Sequence, residues 1–246
     1  MEELWDLYYK DRRPCGVTVP RKDKNGNSPN IPEGCYHIVV ECMVIDLTAR
    51  KLLITQRSSD KHHGSYWECT AGSIIAGETS LDGVIREIKE ETGLTVKKEQ
   101  LTLLATHYRD VVIRDTYVCL IPKFTLEDVD LSDKEATTAR LITFPDFFAQ
   151  RFDEKGRGYF VPAQYERLML VFPNVVSMIE KRTKRHMDML SEVKKLQKDS
   201  AKKRRKKKAV PCEAEPVRIF PEGYNFDELL KQASEGGVGR DNSANG

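Results

Sequence analysis

Between Gly72 and Leu94 the chain gathers acid on a predicted helix without placing enough base beside it. Leu81, Val84, Ile85 and Ile88 fall at i, i+3, i+4 and i+7, the apolar face of a helix over about Ser80 to Thr92. At about 100° per residue, Glu87, Glu90 and Glu91 gather on another face, roughly 120° from the apolar centre. Thr79 or Ser80 suits the N-cap, and Gly93 suits the C-cap. Three carboxylates so placed repel one another. An exposed helix would relieve the repulsion with lysines at i+4, but Lys89 points elsewhere and Arg86 reaches Glu90 at best. A hard divalent cation relieves it instead, because Mg²⁺ takes oxygen ligands and bridges a few carboxylates to phosphate oxygens. A solvated Glu/Lys face is the ordinary reading of a bare Glu-Ile-Lys-Glu-Glu string, so the choice depends on the flanking residues.

The chain has 246 residues, enough for one large domain with an appendage. Strands are expected at His37–Asp46, Lys51–Arg57, Tyr66–Ala71, Leu101–Tyr108, Thr116–Phe124 and Ala139–Phe144, where β-branched residues are frequent. Pro145 opens a short helix, Asp146–Arg151, and Pro162 a long one from Ala163 to about Leu196, kinked at Pro173. Residues 1–36 are polar and rich in turn formers. No run approaches the roughly 18–20 apolar residues of a membrane span. The start, Met1-Glu2-Glu3-Leu4-Trp5, lacks the basic and apolar parts of a signal peptide, so a cytoplasmic location is expected. None of the 6 cysteines forms a CxxC pair, which gives a zinc ribbon no support; Cys42, Cys69 and Cys119 read as packed thiols.

The net charge of +2 conceals an asymmetry. Residues 181–208 hold 14 Lys and Arg against 3 Asp and Glu, a net of +11, whereas residues 1–180 carry −5. The block ends in seven consecutive cations, Lys202 to Lys208. Charge this dense seldom packs, which places a boundary near residue 182. The expected organisation is a polar segment at 1–36, a main domain at 37–181 and a basic helical extension with a disordered tail at 182–246. Within that tail, Phe220–Leu230 has the pattern of a short docking helix.

The flanking residues settle the meaning of the acidic helix. Gly72-x5-Glu78-x7-Arg86-Glu87-Ile88-x-Glu90-Glu91-x-Gly93-Leu94 resembles the signature box of the Nudix hydrolase superfamily at every defined position. The box covers 23 residues, and the strand pattern extends the likeness over about 36–150. The resemblance implies an α/β/α sandwich around a mixed sheet, and hydrolysis of a diphosphate linked to another moiety, usually a nucleoside. It also implies Mg²⁺ as cofactor, with Mn²⁺ as a substitute. Glu87, Glu90 and Glu91 match the metal-binding carboxylates, one of which acts as base in some members. The carbonyl of Gly72 matches a backbone ligand, and Glu78 with Arg86 matches a pair that braces the loop. Such residue types suit the reaction, because a metal neutralises phosphate oxygens and aligns the attacking water.

Flanking segments, Trp5-Asp6-Leu7-Tyr8, Tyr36-His37-Ile38-Val39-Val40 and Gln56-Arg57-Ser58 with Trp67-Glu68, look like a bacterial Nudix group close to isopentenyl-diphosphate isomerases. Such isomerases use an active-site Cys, clustered His and a degenerate box; here the box is intact and the Cys69 surroundings differ. An isomerase-like enzyme and a non-catalytic nucleotide-binding domain are the alternatives. Arg57 and Lys61 are candidates for holding a second phosphate, and Glu135 for a further acid. Nudix enzymes often form homodimers. The basic run 202–208 reads as a solvated tail, with weak nucleic-acid binding without sequence preference as the alternative. Its affinity for unrelated single-stranded oligonucleotides should fall with a log–log salt slope of about −0.7 per phosphate contact. A chain ending at residue 182 should lose that binding in the same salt series, and equal binding by both would exclude the run as the site.

Overall fold

The structure, a computed structural model, describes residues 3–22, 26–59, 62–132, 136–152 and 158–206. Its elements in chain order are β1 (Leu4–Tyr8), β2 (Pro14–Pro20), β3 (His37–Asp46), β4 (Lys51–Arg57), β5 (Trp67–Glu68), β6 (Thr70–Ser73), α1 (Ser80–Thr92), β7 (Leu101–Arg109), β8 (Val112–Ile121), β9 (Ala136–Thr143), α2 (Phe144–Phe148) and α3 (Pro162–Lys206). The chain divides into two units between Phe172 and Pro173. Among the described residues no helix is long and apolar enough to cross a membrane. Lys207, Lys208 and the Phe220–Leu230 segment lie outside the described residues.

In the first unit, β3 is buried along its whole length. It runs parallel to β8 from His37↔Val112 to Asp46↔Ile121, and antiparallel to β6 and β4 on its other side. β7 pairs with β8, and β4 also carries β5 and β9, which completes a mixed sheet of seven strands. Alternation along β3 sends its side chains to opposite faces. Val40, Cys42 and Val44 join Val84 and Ile88 of α1 in one core. Glu41 points the other way, to Arg167 of α3. The sheet therefore carries α1 on one face and the start of α3 on the other. On that second face Phe147 stacks on Phe172 at 5.2 Å and meets Phe160 edge-on at 5.6 Å.

Helix α1 has the expected bounds. Thr79 caps it by accepting from the Asp82 amide, and Gly93 ends it at φ 73°, a left-handed conformation that glycine adopts without a Cβ penalty. Elsewhere the boundaries move for identifiable reasons. The strand expected over Tyr66–Ala71 is broken at Cys69. The Gln164 side-chain amide bonds both the N–H (2.9 Å) and the C=O (3.0 Å) of Cys69, which satisfies that residue without a neighbouring strand. The strand expected from Ala139 starts earlier, at Ala136, and carries a register shift between Ala136 and Thr138, opposite Arg57 and Gln56. The short helix starts at Phe144 instead of Asp146, because Thr143 takes the N-cap. Helix α3 continues to Lys206 with Pro173 inside it; lysine and arginine are good helix formers even where their charges repel.

The polar reading of residues 1–36 misses a two-stranded sheet, β1 with β2. Trp5 and Leu7 bury one side of β1, a period of two hidden by the prolines that bound β2. The bidentate grip of Arg12 on Asp115, a fully buried residue of β8, anchors this hairpin. Thr106 (2.7 Å) and Ser80 also donate to that carboxylate. Trp5 stacks on His37 with ring centroids 4.1 Å apart and planes 4° apart.

Arg12→Ala should destabilise the fold by about 3 kcal/mol in urea titrations, because it leaves a buried carboxylate without its cation. His37 gives a second expectation. Burial, with Arg114 and Arg21 behind it, pushes its imidazolium down to about 4. The unfolded chain binds that proton near pH 6.5, so the native state is full-strength above that pH and loses stability as pH falls toward 4, by on the order of 3 kcal/mol. His37→Phe keeps a ring for Trp5 and should show a shallower loss than the parent chain over the same window.

Candidate active site

The residues of the Gly72–Leu94 segment meet where β6 passes the middle of α1. Arg86 is the hub. Its Nε donates to Glu78 Oε1 at 2.8 Å, and Nη2 donates to Glu78 Oε2 at 3.0 Å and to the Ser73 carbonyl at 2.9 Å. Its Nη1 donates to Glu87 Oε1 at 2.9 Å and to Glu90 Oε2 at 2.7 Å. A guanidinium has five N–H donors in a planar fork, and these five contacts use them all. Glu78 also accepts from the Ile75 amide at 3.0 Å, which fixes the loop before α1. Burial opposes the charge on Arg86, but the hydrogen bond to Glu78 and the attraction of Glu87 outweigh it and keep the group firmly protonated.

Glu87 is buried and lies against Gly72. A Cβ on Gly72 would come within 2.1 Å of the Glu87 carboxylate carbon. Burial, only partly offset by Arg86, pushes the Glu87 pKa up to about 7. Glu91 reaches the same strand and accepts from the Ala71 amide at 3.3 Å. Gly72, Arg86, Glu87 and Glu90 line a cavity of about 940 Å³. Of the other cations on its wall, Lys89 donates to the Gly93 carbonyl at 2.6 Å, and Arg21 pairs with Glu3 at 2.6 Å.

The donor set fits a hard divalent cation. The side chains offer only oxygen, and Arg86 gives one positive charge to Glu78, Glu87 and Glu90. Among the described residues no three His, Cys, Asp or Glu side chains already converge as a cage, because Glu87 and Glu90 are drawn onto Arg86. The contact between Gly72 and Glu87 leaves room for a carboxylate beside the strand and for nothing larger on the glycine.

The other candidates are distributed differently. Arg57 ends β4 and is gripped by Glu68 at 2.7 and 2.6 Å. It lines a second cavity of about 600 Å³, which shares Ala71 with the first. Lys61 and Glu135 lie outside the described residues. Cys69 is fully buried, and burial holds its thiol well above the ordinary range. Sequence reasoning passed over Arg114, Arg167 and His107 of the second cavity. Glu41, a charge inside the apolar run His37–Asp46, was the available signal, since a buried charge requires a partner.

The NUDIX domain family matches residues 36–164. A Nudix hydrolase of Listeria innocua, itself uncharacterized, is 30% identical over 164 residues, covering 66% of this chain and 89% of that protein. Nudix hydrolase 3 of Arabidopsis thaliana is 26% identical over 182 residues, covering 68% of this chain, which spans only 23% of that longer protein. Among solved structures, a Deinococcus radiodurans protein superposes with a TM-score of 0.52 at 17% identity, over 69% of this chain and 99% of that one. The match over more than half of the chain, on the same segment that carries the Arg86 cluster, makes this protein a member of the Nudix hydrolase family, whose members act on pyrophosphate bonds.

Proposed function

We propose that the chain is a divalent-metal-dependent hydrolase that cleaves the diphosphate bond of a nucleoside diphosphate derivative or a related small substrate. The observation that carries this reading is the pair Glu87 and Glu90, held by Arg86 at the wall of a 940 Å³ cavity that Gly72 also lines, with Glu91 of the same helix on the Ala71 amide beside it. Mg²⁺, with Mn²⁺ as the alternative, would be held by those three carboxylates with the Gly72 carbonyl. Once bound, it neutralises phosphate oxygens and lowers the pKa of water. Arg86 and Glu78 act as positioning residues that fix the helix carboxylates against β6. One of the box carboxylates takes a proton from the attacking water. The water oxygen then bonds to phosphorus as the bridging P–O bond breaks, and each product leaves with one phosphate. Preorganised charge of this kind supplies much of phosphoryl-transfer catalysis.

A dihydroneopterin triphosphate diphosphatase of Escherichia coli, 38% identical over 55 residues and 22% of this chain, acts on a linked phosphate chain, in line with this substrate class. The proposal extends to a cytoplasmic enzyme that works as a homodimer, with the basic run as a weak polyanion contact. An isomerase-like reading is disfavoured by Cys69, whose thiol is fully buried, 4.0 Å from the Leu53 carbonyl. A binding-only domain has no need of three carboxylates on one helical face.

Turnover of a panel of diphosphates should cease in EDTA and return with Mg²⁺. Glu91→Gln should lower kcat by at least about 10² while the protein stays folded. Activity that survives both would refute the metal-dependent reading. Gly72→Ala distinguishes placement from stability. Its methyl displaces the far end of the Glu87 side chain instead of backbone. Thermal unfolding should therefore shift little, while kcat falls by a similar factor of about 10².

A further inference from the structure

The second cavity shares Ala71 with the carboxylate site but differs in its chemistry. Arg57, Arg109, Arg114 and Arg167 stand in its wall, with His107 beside them. Its carboxylates are committed or peripheral. Glu68 grips Arg57 at 2.6 Å, Asp110 is 83% exposed beside Arg109, and Glu166 is exposed. Glu41 lies beneath the cavity, fully buried, and takes Arg167 Nη2 at 2.7 Å, Arg167 Nε at 3.0 Å and Thr116 Oγ1 at 2.7 Å.

This leaves Arg114 under-neutralised. Its one carboxylate contact among the described residues is Glu41, at 3.9 Å and already engaged by Arg167. The Arg114 side chain is 26% exposed. Burial lowers its pKa, and Arg167 and Arg109 add repulsion, yet a guanidinium does not give up its proton in a protein. Register places His107 of β7 directly opposite Arg114. The His107 Nε2 is buried and has no hydrogen-bond partner among the described residues. A buried unpaired nitrogen and a crowded guanidinium on adjacent strands are each costly, and one ligand oxyanion would relieve both.

We propose that this cavity is a phosphate subsite, in which Arg114 and His107 contact a phosphate monoester on the organic moiety of the substrate while the diphosphate lies at the carboxylate site. The inference rests on the hydrolase reading above, and it narrows the substrate to diphosphates that carry a further phosphate beyond the bond that is cleaved. Arg57 and Arg167, held rigid by Glu68 and Glu41, form the flanks. A volume of about 600 Å³ is within the range of ordinary ligand sites.

The test has one arm that needs no turnover. Inorganic phosphate should bind the full chain in EDTA with a dissociation constant in the low millimolar range by calorimetry, about 1 to 10 mM. Arg114→Met should weaken it about tenfold or more, and Arg114→Lys should recover part of the loss. Arg114→Met leaves Glu41 with Arg167, so it should fold; His107→Phe is the second variant and should weaken binding as well. Glu91→Gln should retain phosphate binding while losing turnover, which separates this subsite from the catalytic reading. The second arm compares pairs that differ by one phosphate monoester, coenzyme A against its dephospho form and NADPH against NADH. The phosphorylated member should be hydrolysed with about tenfold higher kcat/KM or more, mainly through KM, and the ratio should approach one in Arg114→Met. Phosphate binding that is absent, or indifferent to both Arg114→Met and His107→Phe, overturns the proposal. So does hydrolysis with no preference for the phosphorylated member. Phosphate binding that depends on Arg114, in a chain that hydrolyses nothing, supports the subsite and refutes the hydrolase reading alone.

Discussion

A single cation organises the acidic side of this molecule. Arg86 distributes five donors over Glu78, Glu87, Glu90 and the Ser73 carbonyl, and so joins helix, loop and strand through one planar group. A lysine could supply the charge but not the fork, since its ammonium is a point charge with three donors. The arrangement works only because Gly72 leaves its Cβ position to the Glu87 carboxylate. Remove the fork and the carboxylates repel; fill the glycine and they lose their place. The rest of the first unit is a scaffold that holds these two conditions together. The α1 core fixes the helix, and the ladder of β6 on β3 fixes the glycine.

The two cavities divide the electrostatics. Around Gly72 the wall carries four carboxylates against three cations; across Ala71 it carries four guanidiniums against three carboxylates. Such adjacency suits a ligand with negative charge at more than one point, provided a cation balances the acidic end. It also accounts for the depth at which Glu41 is buried. A carboxylate removed from water costs several kcal/mol unless paired, and Glu41 gains a bidentate partner in Arg167 and a hydroxyl from Thr116. Its role is to hold Arg167 rigid and to tolerate Arg114 nearby.

Helix α1 was fully legible in the sequence because every local signal agreed: apolar period, cap residues and box spacing pointed to the same bounds. Strand positions were legible from β-branched runs, and their ends moved by a few residues where side chains intervened. Gln164 breaks a strand from 95 positions away, and no local pattern announces that. The N-terminal hairpin was concealed by Pro14 and Pro20, which read as loop but sit at the ends of an edge strand. The second cavity was illegible for a related reason. Arg114, His107 and Arg167 come from three elements, and only the β7–β8 register and the return of α3 bring them together. Sequence spacing shows what one helix can present; it is silent about what a sheet assembles.

The alternation of β3 has a consequence for how this chain can diverge. Val40 lies beside Gly72 and packs toward α1, while its neighbour Glu41 anchors the guanidinium cavity on the opposite face. One strand thus serves two sites with alternate residues. An insertion or deletion of a single residue within His37–Asp46 would exchange the faces, driving Glu41 into the apolar core and Val40 beneath Arg167. Substrate preference in such a lineage can drift by point changes in the flanking strands and by length changes in surface loops, while the length of this one strand stays fixed.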